Sequence, residues 1–398
     1  MIFTKLLFII LIIVCAAFYI LYVWDFALVL LVLIIALPII MYITTFLAKR
    51  KMKVEFALQD KIVPKNSPFP VQVCITNKSI FPIGKAEAHI EYYNVFNNKT
   101  SDFELYLPIQ SRNTQRVTFR LKSKFCGIVK VKIAYISIYD PLRIFKFKIG
   151  KNVGAEIAVM PTAHDISGTV LYSNRINEDS SVFSESSPGD DPSEVFDLRD
   201  YVAGDKLNRI HWKLSSKKDD FIVKEYSLPI DVPCTIFLDL KCYEDSDYTL
   251  PVFDTLVETA VSLSQFLIEN ERVHSLIFYH AKYKKFVQYT ISDAVSLADA
   301  VRDLLLSIND NLFCEPPETY FAQNSCISVS SFTLISSTDC DRPVIEYIDS
   351  NIDADMRNAV MIVKNSAEIG TFRNGYSSVN ITPVLIGRIS ASIKDIEI

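Results

Sequence analysis

The chain has 398 residues, 50% of them hydrophobic, with a net charge of −5. That length allows for about two or three domains, each with a sizeable core. The acidic balance excludes a global basic field and so disfavours nucleic acid as a partner. The eight cysteines are scattered without a C-x-x-C, and the five histidines form no ligand pair at helical spacing. This pattern reads as free thiols of a reducing compartment, not a disulfide framework or a zinc site.

The mean hydropathy of +0.22 is high because of the first 47 residues. Leu6 to Trp24 is nearly all apolar, and Phe26 to Leu47 repeats the pattern after a single Asp25. A span needs about 20 apolar residues, so each run is long enough to cross a bilayer. Asp25, beside Tyr22 and Trp24, predicts a tight turn at the membrane surface. Lys5 precedes the first run, and Lys49, Arg50, Lys51 and Lys53 follow the second. Positive residues stay inside, so both ends of this hairpin and the rest of the chain are expected on the cytoplasmic side of the cell membrane.

From Val54 to about Met160 short runs alternate apolar and polar residues. They are separated by turn signals such as Pro64-Lys65-Asn66-Ser67, Asn77-Lys78-Ser79 and Ser111-Arg112-Asn113. About seven strands in roughly 105 residues predict an antiparallel β-sandwich of immunoglobulin-like size, with a barrel as the alternative that periodicity leaves open. Ile176 to Leu198 then carries seven acidic residues and no basic one, and reads as an exposed connection. Directly after it, Phe196 to Glu225 mixes seven basic and six acidic residues with a Trp and a His.

After Ser227 the chain alternates between strand and helix. "CTIFLDL" reads as a buried strand, and the next helix puts Phe253, Leu256, Val257, Ala260, Leu263 and Leu267 on one face. Two strands around Lys282-Tyr283-Lys284 follow, then a Ser/Asp-capped helix, then three strands with "RPVIEYIDSNI" as a helix among them. The order predicts a mostly parallel, Rossmann-like sheet with helices on both faces, whose ligands would bind beyond the carboxyl ends of the strands. Asp239, Lys241, His280, Thr338, Asp339 and Asn365 fall at those ends. "DLKCYEDSD" contains no Gly, which excludes a Rossmann fingerprint or a Walker loop after the first strand, and no G-x-S-x-G occurs.

The stretch "RDYVAGDKLNRIHWKLSSKKDDFIVKE" resembles the signature of the bacterial membrane proteins grouped as "domain of unknown function 58". Arg199, Tyr201, Gly204, Asp205, Arg209, Ile210, Trp212, Ser215, Ser216 and Lys217 fill its places. "DPLRIF", Asp140 to Phe145, is similar to the family's D-P-[FL]-G-L-F run, with Arg143 at its glycine and Ile144 at its leucine. The likeness extends over the whole chain, although only the central signature is specific. It implies a membrane hairpin (1–50), a β domain (51–163), an acidic linker with the signature (164–227) and a von Willebrand factor A-like α/β domain (228–398). It also implies a MoxR-type AAA+ ATPase, and sometimes a transglutaminase-like membrane protein, as partner. A metal-binding A domain uses D-x-S-x-S after its first strand. Here that place reads Asp239-Leu240-Lys241-Cys242-Tyr243. Both serines are lost and Lys241 stands where the cation would sit, so Asp239 and Asp339 beside a lysine, with Tyr243 at the second serine's place, are a degenerate metal site, and no metal or cofactor is expected.

Three functions compete at this point. The first is a membrane-anchored scaffold or adaptor, built on the bilayer and a protein partner, that uses Arg199, Tyr201, Gly204, Asp205, Arg209, His211, Trp212, Lys213, Ser215, Ser216 and Lys217 as a joint or docking motif. The second is an enzyme with a phosphoryl or hydrolytic site around Asp205, Arg209 and His211. The third is nucleic-acid binding through the motif's lysines and Trp212, which a net charge of +1 over Phe196–Glu225 disfavours. A structural joint requires Trp212 largely buried and Asp205 paired with a basic group, whereas a fully exposed Trp212 in an open cleft favours a ligand site.

Overall fold

In the computed structural model the described residues are 2–22, 24–58, 61–150, 153–170, 183–189, 195–200, 202, 209–218, 221–229, 234–240, 247–307, 315–324, 327–337, 342–366, 369 and 378–398. They divide between Pro161 and Thr162 into two units.

The N-terminal unit opens with helices α1 (Ile2–Tyr22) and α2 (Asp25–Arg50), both long and apolar enough to cross a membrane. Only 6% of the apolar window of either helix is buried, so their side chains face outward almost everywhere. Cys15 of α1 and Ala27 of α2 are buried, as are Thr45 and Ala48 in the last turns of α2, where Ala48 belongs to the core of the following β structure. One residue later the chain enters β1 (Met52–Leu58). It continues through β2 (Ile62–Pro64), β3 (Pro68–Asn77), β4 (Ile83–Asn94), β5 (Asn97–Ile109), β6 (Asn113–Lys122), β7 (Gly127–Tyr139), β8 (Lys146–Ile149) and β9 (Val153–Met160).

These strands make two sheets. One runs β1-β3-β6 and the other β2-β9-β7-β4-β5, with β8 paired to β7. All pairings are antiparallel except β2 with β9. The alternation of β3 places Phe69, Val71, Val73 and Ile75 on one face, and they share a core with Ala86, Ala88, Ile90, Val131, Ile133, Ile136 and Ile138 of the larger sheet. Three short strands, β2, β8 and β9, had no separate signal in the sequence reading. The Asn77–Ser79 turn is a buried clip. The Asn77 amide donates to the Phe81 and Gln110 carbonyls (2.9 and 3.1 Å), and its oxygen accepts from the Ser79 hydroxyl (2.7 Å).

The β7–β8 turn, Asp140–Phe145, joins this unit to its helices. Asp140 is 2% exposed, and its carboxylate accepts from the Leu142 and Phe145 N–H groups (3.1 and 2.6 Å). That closure forces Arg143 to φ +56, the left-handed region where glycine is favoured. The Thr4 hydroxyl donates to the Arg143 carbonyl (3.3 Å), and the Tyr42 ring meets Phe145 and Phe147 at 5.3 and 5.2 Å. The first turn of α1 and the last turns of α2 therefore meet the same turn. The two helices run antiparallel with their outer ends on one side, as the hairpin reading requires.

The second unit contains β10 (Gly168–Thr169), β11 (Phe183–Gly189), β12 (Val195–Asp200), α3 (Trp212–Lys218), β13 (Ile222–Pro229), β14 (Cys234–Leu238), α4 (Thr249–Glu269), β15 (His274–His280), β16 (Lys285–Ile291), α5 (Ala294–Ser307), α6 (Pro317–Gln323), β17 (Ile327–Ser337), α7 (Arg342–Asn351), β18 (Ile352–Val363), β19 (Asn380–Leu385), α8 (Ile389–Ser392) and β20 (Ile396–Glu397). The main sheet runs β16-β15-β14-β17-β18-β19, which in chain order is 3-2-1-4-5-6, a doubly wound order. Every pair is parallel except β15 with β16. Every residue of β14 and β15 is buried, which requires cover on both faces. Phe321 of α6 and Val344, Ile345 and Ile348 of α7 pack with Phe237, Phe332 and Leu334, while α4 lies against β14, β15, β17 and β18.

The acidic connection is more structured than a plain loop. Its Phe183–Gly189 part forms β11 beside β13, in the small sheet β11-β13-β12. Upstream, the Thr162 and His164 N–H groups donate to Glu258 Oε1 (3.1 Å) and Ser262 Oγ (2.9 Å), the His164 ring bonds Glu258 Oε2 (3.0 Å), and β10 pairs with β20. This strap explains why 15 residues of α4, Asp254 and Glu258 among them, are buried although the apolar pattern covers one face.

Two outcomes are expected of variants. Glu258→Ala removes the shared acceptor of the Thr162 N–H and the His164 ring and lowers the stability of the C-terminal unit by about 0.5–1.5 kcal/mol, read by urea unfolding of the detergent-solubilised chain. Arg143→Gly relieves the left-handed backbone and raises the stability of the N-terminal unit by up to about 1 kcal/mol, read as an upward shift of its melting temperature.

Candidate functional site

The signature segment is built around one short helix. An isolated bridge joins Ile210 to Val223, and the His211 N–H donates to the Ile222 carbonyl (2.8 Å), so the chain enters α3 already tied to β13. His211 caps that helix, because its Nδ1 accepts from the Leu214 N–H (3.2 Å). Ser215 closes the clamp. Its hydroxyl donates to the His211 carbonyl (3.1 Å) and accepts from the Ile222 N–H (2.9 Å). Ile210, Ser215, Ile222 and Val223 are buried, which makes the clamp rigid.

The aromatic residue of the motif points the other way. Trp212 is 61% exposed, and its ring meets the 57%-exposed Phe221 edge-on at 6.2 Å and 90°. The expectation of a buried, joint-forming Trp212 is therefore corrected. Ile210, Ser215 and Val223 hold the segment, and with their side chains inward the first position of α3 turns outward. Leu198 and Val202 are also exposed apolar residues of this segment. Lys213 and Lys217 are exposed on α3, and the Arg199 guanidinium donates to the Asp200 carbonyl (3.2 Å). Arg209 lies half-buried just before the bridge. Ser216 lies on α3, while Tyr201, Gly204 and Asp205 fall outside the described residues, as does the expected pairing of Asp205.

This geometry bears on the catalytic reading. A His whose Nδ1 accepts a backbone N–H carries its proton on Nε2 when neutral, which leaves no lone pair for a general base. His211 is thus committed to capping.

The second candidate lies at the carboxyl edge of the main sheet, where the strand order reverses between β14 and β17. Asp239 follows β14 and is 5% exposed. Its N–H donates to the Ile335 carbonyl (2.9 Å), and its Oδ2 accepts from the Ser336 hydroxyl (2.8 Å). Lys241, Tyr243, Thr338 and Asp339 fall outside the described residues. Among the described residues no group of three or more His, Cys, Asp or Glu side chains is placed to hold a metal ion.

Of a third polar group only His280 was marked by the sequence, and its partners Asp303 and Tyr289 were not. His280, at the end of β15, faces Asp303 of α5 (Nε2–Oδ2 3.3 Å), accepts from the Tyr283 N–H (3.3 Å) and stacks on the Tyr283 ring at 4.1 Å. The Tyr289 hydroxyl donates to Asp303 (2.6 Å). Burial, reinforced by that bond, pushes its pKa up to about 12. Only the helical register of α5 brings Asp303 to this hairpin, so no local motif marks it. Both nitrogens of His280 are used, which makes this a structural network.

No family model and no curated protein matches the chain. Among solved structures it is similar to a CARDB domain from Pyrococcus furiosus in complex with di-metal ions, at 12% identity over 27% of this chain and 91% of that one, with a TM-score of 0.21. A cohesin module from a Clostridium perfringens family 33 glycoside hydrolase gives 12% identity over 27% and 96%, with a TM-score of 0.21. An alkylpurine DNA glycosylase from Pseudomonas fluorescens gives 10% identity over 27% and 30%, also at 0.21. At TM-scores this low the likenesses carry no argument about fold or function.

At the opposite edge of the sheet, His274 is fully buried and donates from Nδ1 to the Arg272 carbonyl (3.2 Å), while Nε2 has no partner. Burial lowers its pKa to about 4 despite that bond. The folded state thus resists protonation more than the unfolded chain does. Its stabilising effect is complete above about pH 6.5 and is lost as pH falls towards 4. Stability should drop over this window with a slope of up to about 1.4 kcal/mol per pH unit. In His274→Phe the slope should shrink by about one proton, as read by denaturant titrations at successive pH values.

Proposed function

We propose that this protein is a membrane-anchored scaffold that holds its C-terminal unit in the cytoplasm and docks a protein partner on the signature segment. The observation that carries this reading is the exposed Trp212–Phe221 pair, held on a clamp whose own hydrogen bonds are internal. Binding hot spots have this form: an aromatic anchor on a pre-organised element, flanked by Arg or Lys. The anchor reading rests on the two apolar helices, and the cations at their outer ends support a cytoplasmic orientation for that side.

Several further features agree with the resemblance to the "domain of unknown function 58" proteins. Two sheets around one core fit an immunoglobulin-sized β-sandwich. A doubly wound sheet with Asp239 and Ser336 at its switch point fits a von Willebrand A-like domain with a degenerate metal position. Arg143 adopts the left-handed backbone at the place where the family pattern has glycine. By the same resemblance, a MoxR-type AAA+ ATPase is the first partner to test and a transglutaminase-like membrane protein the second. The competing enzyme reading is weakened by the engagement of His211 Nδ1.

A photo-crosslinking residue placed at Lys217, exposed on the same helix, in the full-length chain should capture one protein partner in membranes. Trp212→Ala with Phe221→Ala should weaken that complex by at least about tenfold. Because both side chains are exposed, the melting temperature should hardly move. Unchanged capture by the double variant, or labelling by lipid alone, would sink the proposal.

A further inference from the structure

The β7–β8 turn and the helix ends it touches form a continuous rim. Thr4 of α1 bonds Arg143, Phe145 meets Tyr42 of α2, Tyr42 meets Phe147, and Lys49 lies over the Phe147 ring at 5.8 Å. Arg50 lies over Phe46 at 4.7 Å. Ala48 is buried in the β core, so the apolar part of α2 ends against the β unit, with no spacer between them. Aromatic residues next to cations at the end of an apolar helix mark the depth of the lipid headgroups. The turn is tied to that depth from both helices, and Leu142 at its tip is 37% exposed.

The charge along this rim is one-sided. Among the described residues Lys5, Lys49, Arg50 and Arg143 form no ion pair. Two carboxylates of the adjoining strands and turn are occupied: Asp140 accepts from its own turn, and Glu87 is held by Lys85 (2.7 Å), Lys146 (3.8 Å) and the Tyr139 hydroxyl.

We propose that Arg143 and Lys49, with Lys5 and Arg50 beside them, form a binding site for the phosphate headgroup of an anionic phospholipid. The site fixes the orientation of the β unit on the bilayer. Guanidinium and ammonium groups supply the donors a phosphodiester needs, and Leu142 can enter the acyl boundary. Each cation at an anionic surface is worth about a fivefold gain in association. The inference rests on the membrane-anchored reading above, and its test separates the two.

The full-length protein is reconstituted in nanodiscs of equal phosphatidylglycerol and phosphatidylcholine and released into mild detergent, and the retained lipids are weighed by native mass spectrometry. Wild type should retain phosphatidylglycerol in clear excess, unchanged by millimolar inorganic phosphate. Arg143→Gln with Lys49→Gln should lower that excess by about fivefold per cation removed. Lys282→Gln, at an exposed lysine of the C-terminal unit, should leave it intact. Equal retention of both lipids by wild type, or an excess that survives the double substitution, overturns the headgroup site, as does displacement of the lipid by inorganic phosphate. Release of the wild-type chain from membranes by alkaline carbonate overturns the anchored reading itself.

Discussion

Two helices that bury almost none of their apolar surface in the protein impose the governing constraint on the N-terminal unit. Apolar area of that extent is stable only when something other than water covers it, and helices satisfy their own backbone hydrogen bonds, as a hydrocarbon phase demands. The β structure is then fixed at one end of the hairpin, because the last turns of α2 enter its core and β1 begins one residue later. The Asp140 turn follows from the same constraint. A buried carboxylate is tolerated when backbone donors satisfy it, and those bonds aim the turn at the helix ends.

Buried polar groups organise the second unit in the same way. Glu258 on α4, Ser215 on α3 and His280 at the end of β15, facing the half-buried Asp303 of α5, each join separate segments or lock a turn that apolar packing would leave unspecified. With these groups satisfied inside the fold, the Trp212–Phe221 ring pair of the signature segment faces outward. The same economy engages Nδ1 of His211 in the cap of α3.

What could be read from the sequence depended on the range of the interaction responsible. The helical hairpin, the alternating strands β1 and β3 to β7, and the strand–helix order after Ser227 rest on local periodicity, which composition displays directly. Short elements such as β2, β8 and α6 were invisible because fewer than two periods carry no pattern, yet Phe321 of α6 is a central core residue. Trp212 was misread for a related reason. A Trp within a charged run suggests an anchor, but whether it turns inward depends on which neighbours do, and here Ile210, Ser215 and Val223 take that place.

The sequence by itself determined the two apolar helices, the positive flank at their outer ends, the β-then-α/β order and the lack of a phosphate loop after β14. Each of these follows from residue type and spacing alone. Only the tertiary structure decided that Trp212 and Phe221 face outward, that Thr162 and His164 bond the polar side of α4, and that the Asp140–Phe145 turn meets both α1 and α2. Those are pairings between distant segments. Their geometry is set by hydrogen-bond satisfaction and packing, and one-dimensional periodicity carries no record of either.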